Sequence, residues 1–204
     1  GDSRAVAMNL DISPEGAAKQ FFDGLKIRNI INESARPPVW EGEIEFDKRG
    51  KFERLVEEPG GRLKLWMQPK GDGKAPWSKY MVGSDISAGT GATPSCGVGI
   101  DAVRSIKVLE YVNPFIEERE FAQLMVAICW FLSDDTGQGA KLVWDASGQQ
   151  GTKFEKAVLA LGYTNVYQND EDSPDFRYKR TSRPGWFGSA AQKYAVLKDY
   201  KSAI

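Results

Sequence analysis

Two aspartates, Asp85 and Asp145, each lie at the end of an apolar, strand-like stretch and are each followed by small, turn-forming residues. In open α/β sheets, ligands bind outside the carboxyl ends of the strands. If the two strands are neighbours, about 4.8 Å apart, both carboxylates can bridge one divalent cation. Two such cations about 3.5 to 4 Å apart support phosphoryl-transfer chemistry without histidine. The alternative is that each aspartate only caps a turn or the helix that follows it.

Composition excludes several other chemistries. The chain has 204 residues and no histidine, which rules out Ser-His-Asp and Cys-His nucleophiles and any zinc site that contains His. Cys96 and Cys129 are far apart in apolar surroundings, as expected of buried thiols in a reducing cytoplasm. With 27 basic and 28 acidic residues, any nucleic-acid site must be local. The longest apolar run, residues 124–132, is too short to span a bilayer.

A glycine-rich stretch follows the first aspartate, from Ser87 to Thr93. Its backbone amides are candidates for cradling a phosphate. It lacks the Lys of a motor-ATPase phosphate loop and does not open a helix. A hairpin loop whose glycines adopt positive φ is therefore the favoured interpretation.

A basic stretch near the end of the chain is the candidate nucleic-acid contact. Arg177, Lys179, Arg180 and Arg183 are interleaved with aromatic residues, a pattern suited to tracking a phosphate backbone. Acidic residues at 170–172 precede it, so a solvated, self-neutralised loop is the alternative.

Periodicity predicts the elements that position these residues. Residues 1–75 are expected to form an N-terminal helix, opened by Ser13-Pro14-Glu15, and a small antiparallel β extension. Residues 76–204 are expected to form a mixed five-stranded α/β sheet with flanking helices. The predicted extension strands are 42–46, 52–56 and 63–67. The predicted core elements are strands 80–86, 96–102 and 105–111, a helix from Asn113-Pro114 to about Leu132, strand 141–145, helix 152–161, strand 164–168 and helix 189–203.

Five motifs, in this order and spacing, resemble the nuclease domain of the large terminase subunit of tailed bacteriophages, a member of the ribonuclease H-like group. The motifs are GRLKLW at 61–66, YMVGSD at 80–85, LVWD at 142–145, LGYTNVY at 161–167 and PGWF at 184–187. The resemblance covers roughly residues 40–204. It implies a ribonuclease H-like fold in which the first and fourth core strands are neighbours, so that Asp85 and Asp145 match the first two metal-binding acids.

The resemblance also implies an activity and partners. It implies a Mg²⁺- or Mn²⁺-dependent endonuclease, with two ions, that cleaves concatemeric double-stranded DNA by metal-activated water during packaging in the host bacterial cytoplasm. In the full-length protein it implies an ATPase motor domain, a portal and a small terminase subunit as partners. The family's last metal-binding acid is expected beyond Ile204, because Asp199 comes too early. The chain is therefore expected to be an excerpt with weak activity.

Three other functions remain open at this point. An actin-like or sugar-kinase-like phosphotransferase shares the same sheet and also begins with an aspartate and a Gly/Thr-rich loop, here 85–93. A Holliday-junction resolvase has the same fold and acids and would prefer branched DNA. A pure binding module would be indifferent to metals and to substitution of the acids.

Overall fold

The computed structural model describes residues 21–168 and 184–203, which fall into two compact units. One unit comprises the described residues of 1–37 and 189–204, and the other lies within 38–188. The predicted helix that starts at Pro14 and the basic stretch 177–183 lie outside the described residues. The predicted division after residue 75 remains a prediction.

The described elements follow the predicted order closely. The helices are α1 (Gly24–Ser34), α2 (Glu118–Phe131), α3 (Gly148–Ala160) and α4 (Ala190–Ala203). The strands are β1 (Trp40–Phe46), β2 (Phe52–Glu57), β3 (Leu63–Leu65), β4 (Tyr80–Asp85), β5 (Ser95–Asp101), β6 (Ile106–Asn113) and β7 (Lys141–Trp144). No helix in the described ranges is long and apolar enough to cross a membrane.

All of the described strands form one mixed sheet in the order β2-β1-β3-β6-β5-β4-β7. Strands β4, β5 and β6 are antiparallel neighbours, and β7 lies parallel to β4 on its other side. The predicted mixed α/β sheet is confirmed, with the first and fourth core strands adjacent. The predicted extension strands join the same sheet, because β3 pairs with β6.

The outer edge of β7 differs from the prediction. The expected strand 164–168 is present only as isolated bridges, with Val166 parallel to Leu142. Towards the carboxyl end of β7, the segment around Trp186 takes the place of the expected strand. The Trp186 amide donates to the Trp144 carbonyl at 2.8 Å, and the Ala146 amide donates to the Trp186 carbonyl at 2.9 Å. The edge of β7 is therefore covered by two short segments in succession rather than by one continuous fifth strand.

Helix α2 starts later than its sequence indicates. Asn113 ends β6 and does not cap the helix, since its Oδ1 accepts a hydrogen bond from the Phe115 amide at 2.9 Å and forms a turn. The helix begins at Glu118 and buries most of its circumference. It packs against the sheet and against α3, and Gly50 in the turn between β1 and β2 lies next to its Val126. The predicted apolar face of α2 is buried as expected.

Helix α3 completes the layer that covers this face of the sheet. Its Phe154 is fully buried, with its ring centroid 5.7 Å from that of Phe121 on α2 and 5.6 Å from that of Trp144 on β7. The helix ends as predicted, because Gly162 has φ +74°, a conformation that glycine adopts without steric cost. This packing holds the carboxyl end of β7 and the start of α3 in fixed positions.

The other unit contains a helix that is not predicted from the sequence. Helix α1 is capped by Asp23, whose Oδ1 accepts hydrogen bonds from the Leu25 and Lys26 amides at 2.9 and 3.2 Å. Helix α4 matches the predicted last helix to within one residue at its start. Edge-on ring contacts join Phe21 to Tyr194, with ring centroids 5.7 Å apart, within this unit.

Candidate functional site

The register of β4 against β7 places the two candidate aspartates side by side. The last paired residues are Gly83 with Val143 and Ser84 with Trp144, so one further residue puts Asp85 opposite Asp145. Side chains alternate along a strand, and Ser84 and Trp144 point into the buried core. Asp85 and Asp145 therefore share the opposite face, with their strands about 4.8 Å apart.

Asp145 is oriented by the turn that leads into α3. Its Oδ1 accepts hydrogen bonds from both the amide and the hydroxyl of Ser147. The backbone at Asp145 is also bridged to Trp186, in the Gly-Trp motif. At Gly185, φ is +91° and an added Cβ would lie 2.7 Å from the Ala146 Cβ, so only glycine lets this motif approach. Asp145 thus does form the turn contact of the alternative interpretation, and it does so while remaining beside Asp85.

The sheet surface next to Asp85 is open. Gly83 is exposed in the middle of β4, and a Cβ added there meets no described atom within 4 Å. Glycine inside a strand often marks a place where a ligand or another backbone comes close. A groove of about 280 Å³ also starts at Asp85, follows the loop 86–94 and reaches Gln150 on α3. Gln150 was not identified from the sequence, because only the turn after β7 brings α3 to this groove.

The glycine-rich loop is held by the protein itself. The Ser87 amide donates to Ser95 Oγ at 3.0 Å, the Gly89 amide to Ser87 Oγ at 3.3 Å and the Gly91 amide to the Pro114 carbonyl at 2.9 Å. Gly89 and Gly91 both have positive φ. Three amides that a phosphate cradle would need are already used, which favours the hairpin-loop interpretation over a phosphotransferase loop.

The donor set fits a hard divalent cation, because two carboxylates on one face offer the oxygen ligands that Mg²⁺ and Mn²⁺ prefer. Asp85 is exposed and Asp145 is half-buried, so the site is open to solvent and substrate. Within 21–168 and 184–203, no group of three or more Asp, Glu or Cys side chains is arranged to hold a metal. Asp199 lies exposed on α4, in the other unit.

The cysteines take no evident part in this site. Cys129 is buried in α2, as predicted, and burial strongly raises the pKa of its thiol. Cys96 pairs in register with Asp85 and is only half-buried. Burial raises the pKa of the Cys96 thiol, and the charges of Asp85 and Glu110 raise it further. The neutral thiol is therefore the stable form beside the aspartate.

The predicted nucleic-acid contacts Arg177, Lys179, Arg180 and Arg183 lie outside the described residues and stay a prediction. No protein-family model matches the chain. No curated protein matches it either.

Two solved structures of the large terminase nuclease from the thermophilic phage G20c, one with bound magnesium and one with bound cobalt, are similar to this chain. Each has a TM-score of 0.48, with 12% and 13% sequence identity respectively, and the match covers 82% of this chain and 70% of theirs. They are nucleases of the family that the sequence motifs resemble.

Proposed function

We propose that this chain is a metal-dependent DNA endonuclease domain of the terminase type, cleaving double-stranded DNA by hydrolysis. The observation that carries the proposal is the parallel register of β4 and β7, which brings Asp85 and Asp145 together at the carboxyl edge of the sheet. A lone aspartate at a strand end is usually a turn cap, whereas two carboxylates on one face are an arrangement suited to a cation. The terminase motifs support the choice of DNA as substrate.

In this proposal Asp85 and Asp145 would be the residues that hold Mg²⁺ or Mn²⁺. A cation bound there would supply positive charge to polarise a phosphodiester and to lower the pKa of attacking water, and a second ion would do the same for the leaving oxygen. Ser147 fixes the orientation of the Asp145 carboxylate through its amide and hydroxyl. The missing side chain at Gly83 leaves room for the DNA backbone to approach the two acids.

The wider assignment follows from the same proposal. The domain would cut concatemeric DNA in the host bacterial cytoplasm, beside an ATPase motor, a portal and a small terminase subunit. The basic stretch Arg177, Lys179, Arg180 and Arg183 would add contacts to the phosphate backbone. The partners are inferred from the motif resemblance, and the backbone contacts from the interleaving of cations with aromatic residues in that stretch.

The test is plasmid cleavage with the 204-residue chain and its variants. Wild type is expected to nick or linearise supercoiled plasmid in Mn²⁺ and not in EDTA, and Asp85→Asn and Asp145→Asn are each expected to abolish this. Asp135→Asn, an exposed acid in the loop before β7 and so at the other end of that strand from Asp145, is the matched control and should keep full activity. Cleavage that survives in both site variants would refute the assignment of these acids.

Two further measurements separate the alternatives. A rise in melting temperature with Mg-ATP, absent with DNA and Mn²⁺, would favour a phosphotransferase. Much faster cleavage of four-way junctions than of linear duplexes would favour a junction resolvase. The proposed function requires comparable cleavage of linear duplex DNA and no stabilisation by nucleotide.

A further inference from the structure

A groove of about 760 Å³ lies on the helical layer, away from the two aspartates, and is strongly basic. It is bounded by the turn between β1 and β2, by the first half of α2 and by the second half of α3. Five cations line it, namely Lys48, Arg49, Arg119, Lys153 and Lys156. The one acid in its lining, Glu118, is already engaged, because its Oε1 lies 2.9 Å from Lys153 Nζ. We call this feature the basic groove.

The fold holds the basic groove in shape. Asp47 Oδ1 accepts hydrogen bonds from the Arg49 and Lys51 amides at 2.8 and 2.9 Å, which fixes the β1–β2 turn. Gln123 on α2 then donates to the Lys48 carbonyl at 3.1 Å. Gly50 completes the contact, since an added Cβ would lie 3.0 Å from the Gln123 carbonyl oxygen. Lys48 and Arg49 are therefore presented to α3 from a fixed turn.

The surface chemistry of the basic groove selects the kind of ligand. Apart from Gln123, its remaining lining is small or aliphatic, with Ala157, Ala160 and Gly162 on α3 and just after it. None of the described lining residues is aromatic. Protein interfaces rely on aromatic anchors, and single-stranded nucleic acids stack their bases on aromatic rings. A concave, cationic surface without such anchors is suited to the regular charge of a duplex backbone.

We propose that the basic groove binds the phosphate backbone of double-stranded DNA as a second contact, separate from the two aspartates. This inference rests on the proposed function for its choice of DNA as the polyanion. A duplex carries one negative charge per about 1.7 Å of its axis, so several phosphates fall within reach of the groove at once. Such contacts hold the duplex without reading its sequence.

The experiment compares two triple variants of the 204-residue chain. The groove variant is Arg49→Ala, Arg119→Ala and Lys156→Ala. The matched control removes three exposed lysines elsewhere: Lys26→Ala, Lys74→Ala and Lys198→Ala. Binding of a fluorescein-labelled duplex of about 30 base pairs is followed by anisotropy in EDTA over a range of NaCl concentrations, and circular dichroism melting checks that each variant is folded.

The groove variant is expected to bind at least about tenfold more weakly than wild type at low salt. Its slope of log affinity against log salt should be flatter by about one to three units, since each lost phosphate contact removes about 0.9. The control should stay within about twofold of wild type, and a duplex of unrelated sequence should show the same differences. Lys156→Glu alone, at an exposed helical position, should weaken binding in the same direction.

Equal binding by the groove variant and the control would overturn the inference, as would the absence of duplex binding by wild type. Displacement of the duplex by poly-glutamate at matched charge would instead identify a docking site for an acidic protein and would also overturn it. Because binding is measured in EDTA, the result is independent of cleavage. The nuclease assignment can therefore fail while the groove binds DNA, and the groove can fail while Asp85→Asn still abolishes cleavage.

Discussion

Asp85→Asn tests the two-carboxylate site through stability as well as activity. With the two strands about 4.8 Å apart, the repulsion between two unit charges is about 0.9 kcal/mol in water and about 3.5 kcal/mol at an effective dielectric constant of 20. Asp85 is exposed, so the lower figure applies. Without metal, Asp85→Asn should therefore unfold with a free energy about 1 kcal/mol higher than wild type, and its melting temperature should rise by about 2 to 4 °C.

Mn²⁺ should reverse this order. A cation at tenfold excess over its dissociation constant stabilises the folded state by about 1.4 kcal/mol, and this gain requires both carboxylates. Wild type should therefore gain stability on addition of Mn²⁺, whereas Asp85→Asn should not. The stability of wild type and of Asp85→Asn, each in EDTA and in Mn²⁺, is measured by urea unfolding and by thermal melting.

The control for this prediction is Asp135→Asn, which removes the same charge from an exposed position outside the site. It should respond to Mn²⁺ as wild type does and should show no gain in EDTA. The reasoning is refuted if Asp85→Asn is less stable than wild type in EDTA, or if Mn²⁺ stabilises both proteins equally. The first result would mean that the Asp85 carboxylate stabilises the fold through other contacts by more than the repulsion costs, and the second that the cation binds elsewhere.

Three further predictions concern the surroundings of the site. Ser84→Ala should raise the free energy of unfolding by about 1 kcal/mol in urea titrations, because the buried Ser84 hydroxyl has no described hydrogen-bond partner. Ser95→Ala should instead lower the free energy of unfolding, because it removes the acceptor of the Ser87 amide. Gly83→Phe should abolish plasmid cleavage with little change in melting temperature, and Gly83→Ala should keep it, since the space above Gly83 is open. Burial would raise the pKa of Asp101, but hydrogen bonds from Ser78 and two backbone amides outweigh it and lower that pKa. The ionised form therefore stabilises the fold above the unfolded-state pKa of about 3.9. This stabilisation is lost as the pH falls through the lower folded-state pKa. The difference in free energy of unfolding between wild type and Asp101→Asn should therefore shrink between about pH 7 and about pH 3.

The position of each acid at the end of its strand was predictable because it depends only on local sequence. Alternating apolar residues identify β4 and β7, and a residue at the carboxyl end of a strand is fixed by where the strand stops. The remaining step, that these strands are neighbours, came from the motif resemblance. The structure supplies it independently through the Ser84 to Trp144 pairing. The position of Gln150 was not predictable, since it depends on the direction in which α3 leaves the turn.

The errors occurred where tertiary contacts override local signals. Asn113-Pro114 has the composition of a helix start, yet the Asn113 side chain closes a turn because β6 continues to that residue. The strand expected at 164–168 has the right residue types, but Gly185 and Trp186 occupy part of the edge it would have paired with. Neither the continuation of β6 nor the pairing of the Gly-Trp segment with β7 can be predicted from a short window of neighbouring residues.

The basic groove shows why charge counting along a chain misses some nucleic-acid surfaces. Its cations come from three places in the sequence: 48–49, 119 and 153–156. Each place also carries acids nearby, such as Asp47, Glu118 and Glu155, so none of the three looks basic in the sequence, and the chain as a whole has a net charge of −1. Folding leaves an excess of cations in the groove, since Asp47 turns back to hold its own loop and Glu118 balances only Lys153. A balanced sequence can therefore present a cationic surface, and only the three-dimensional arrangement of its charges decides where a polyanion binds.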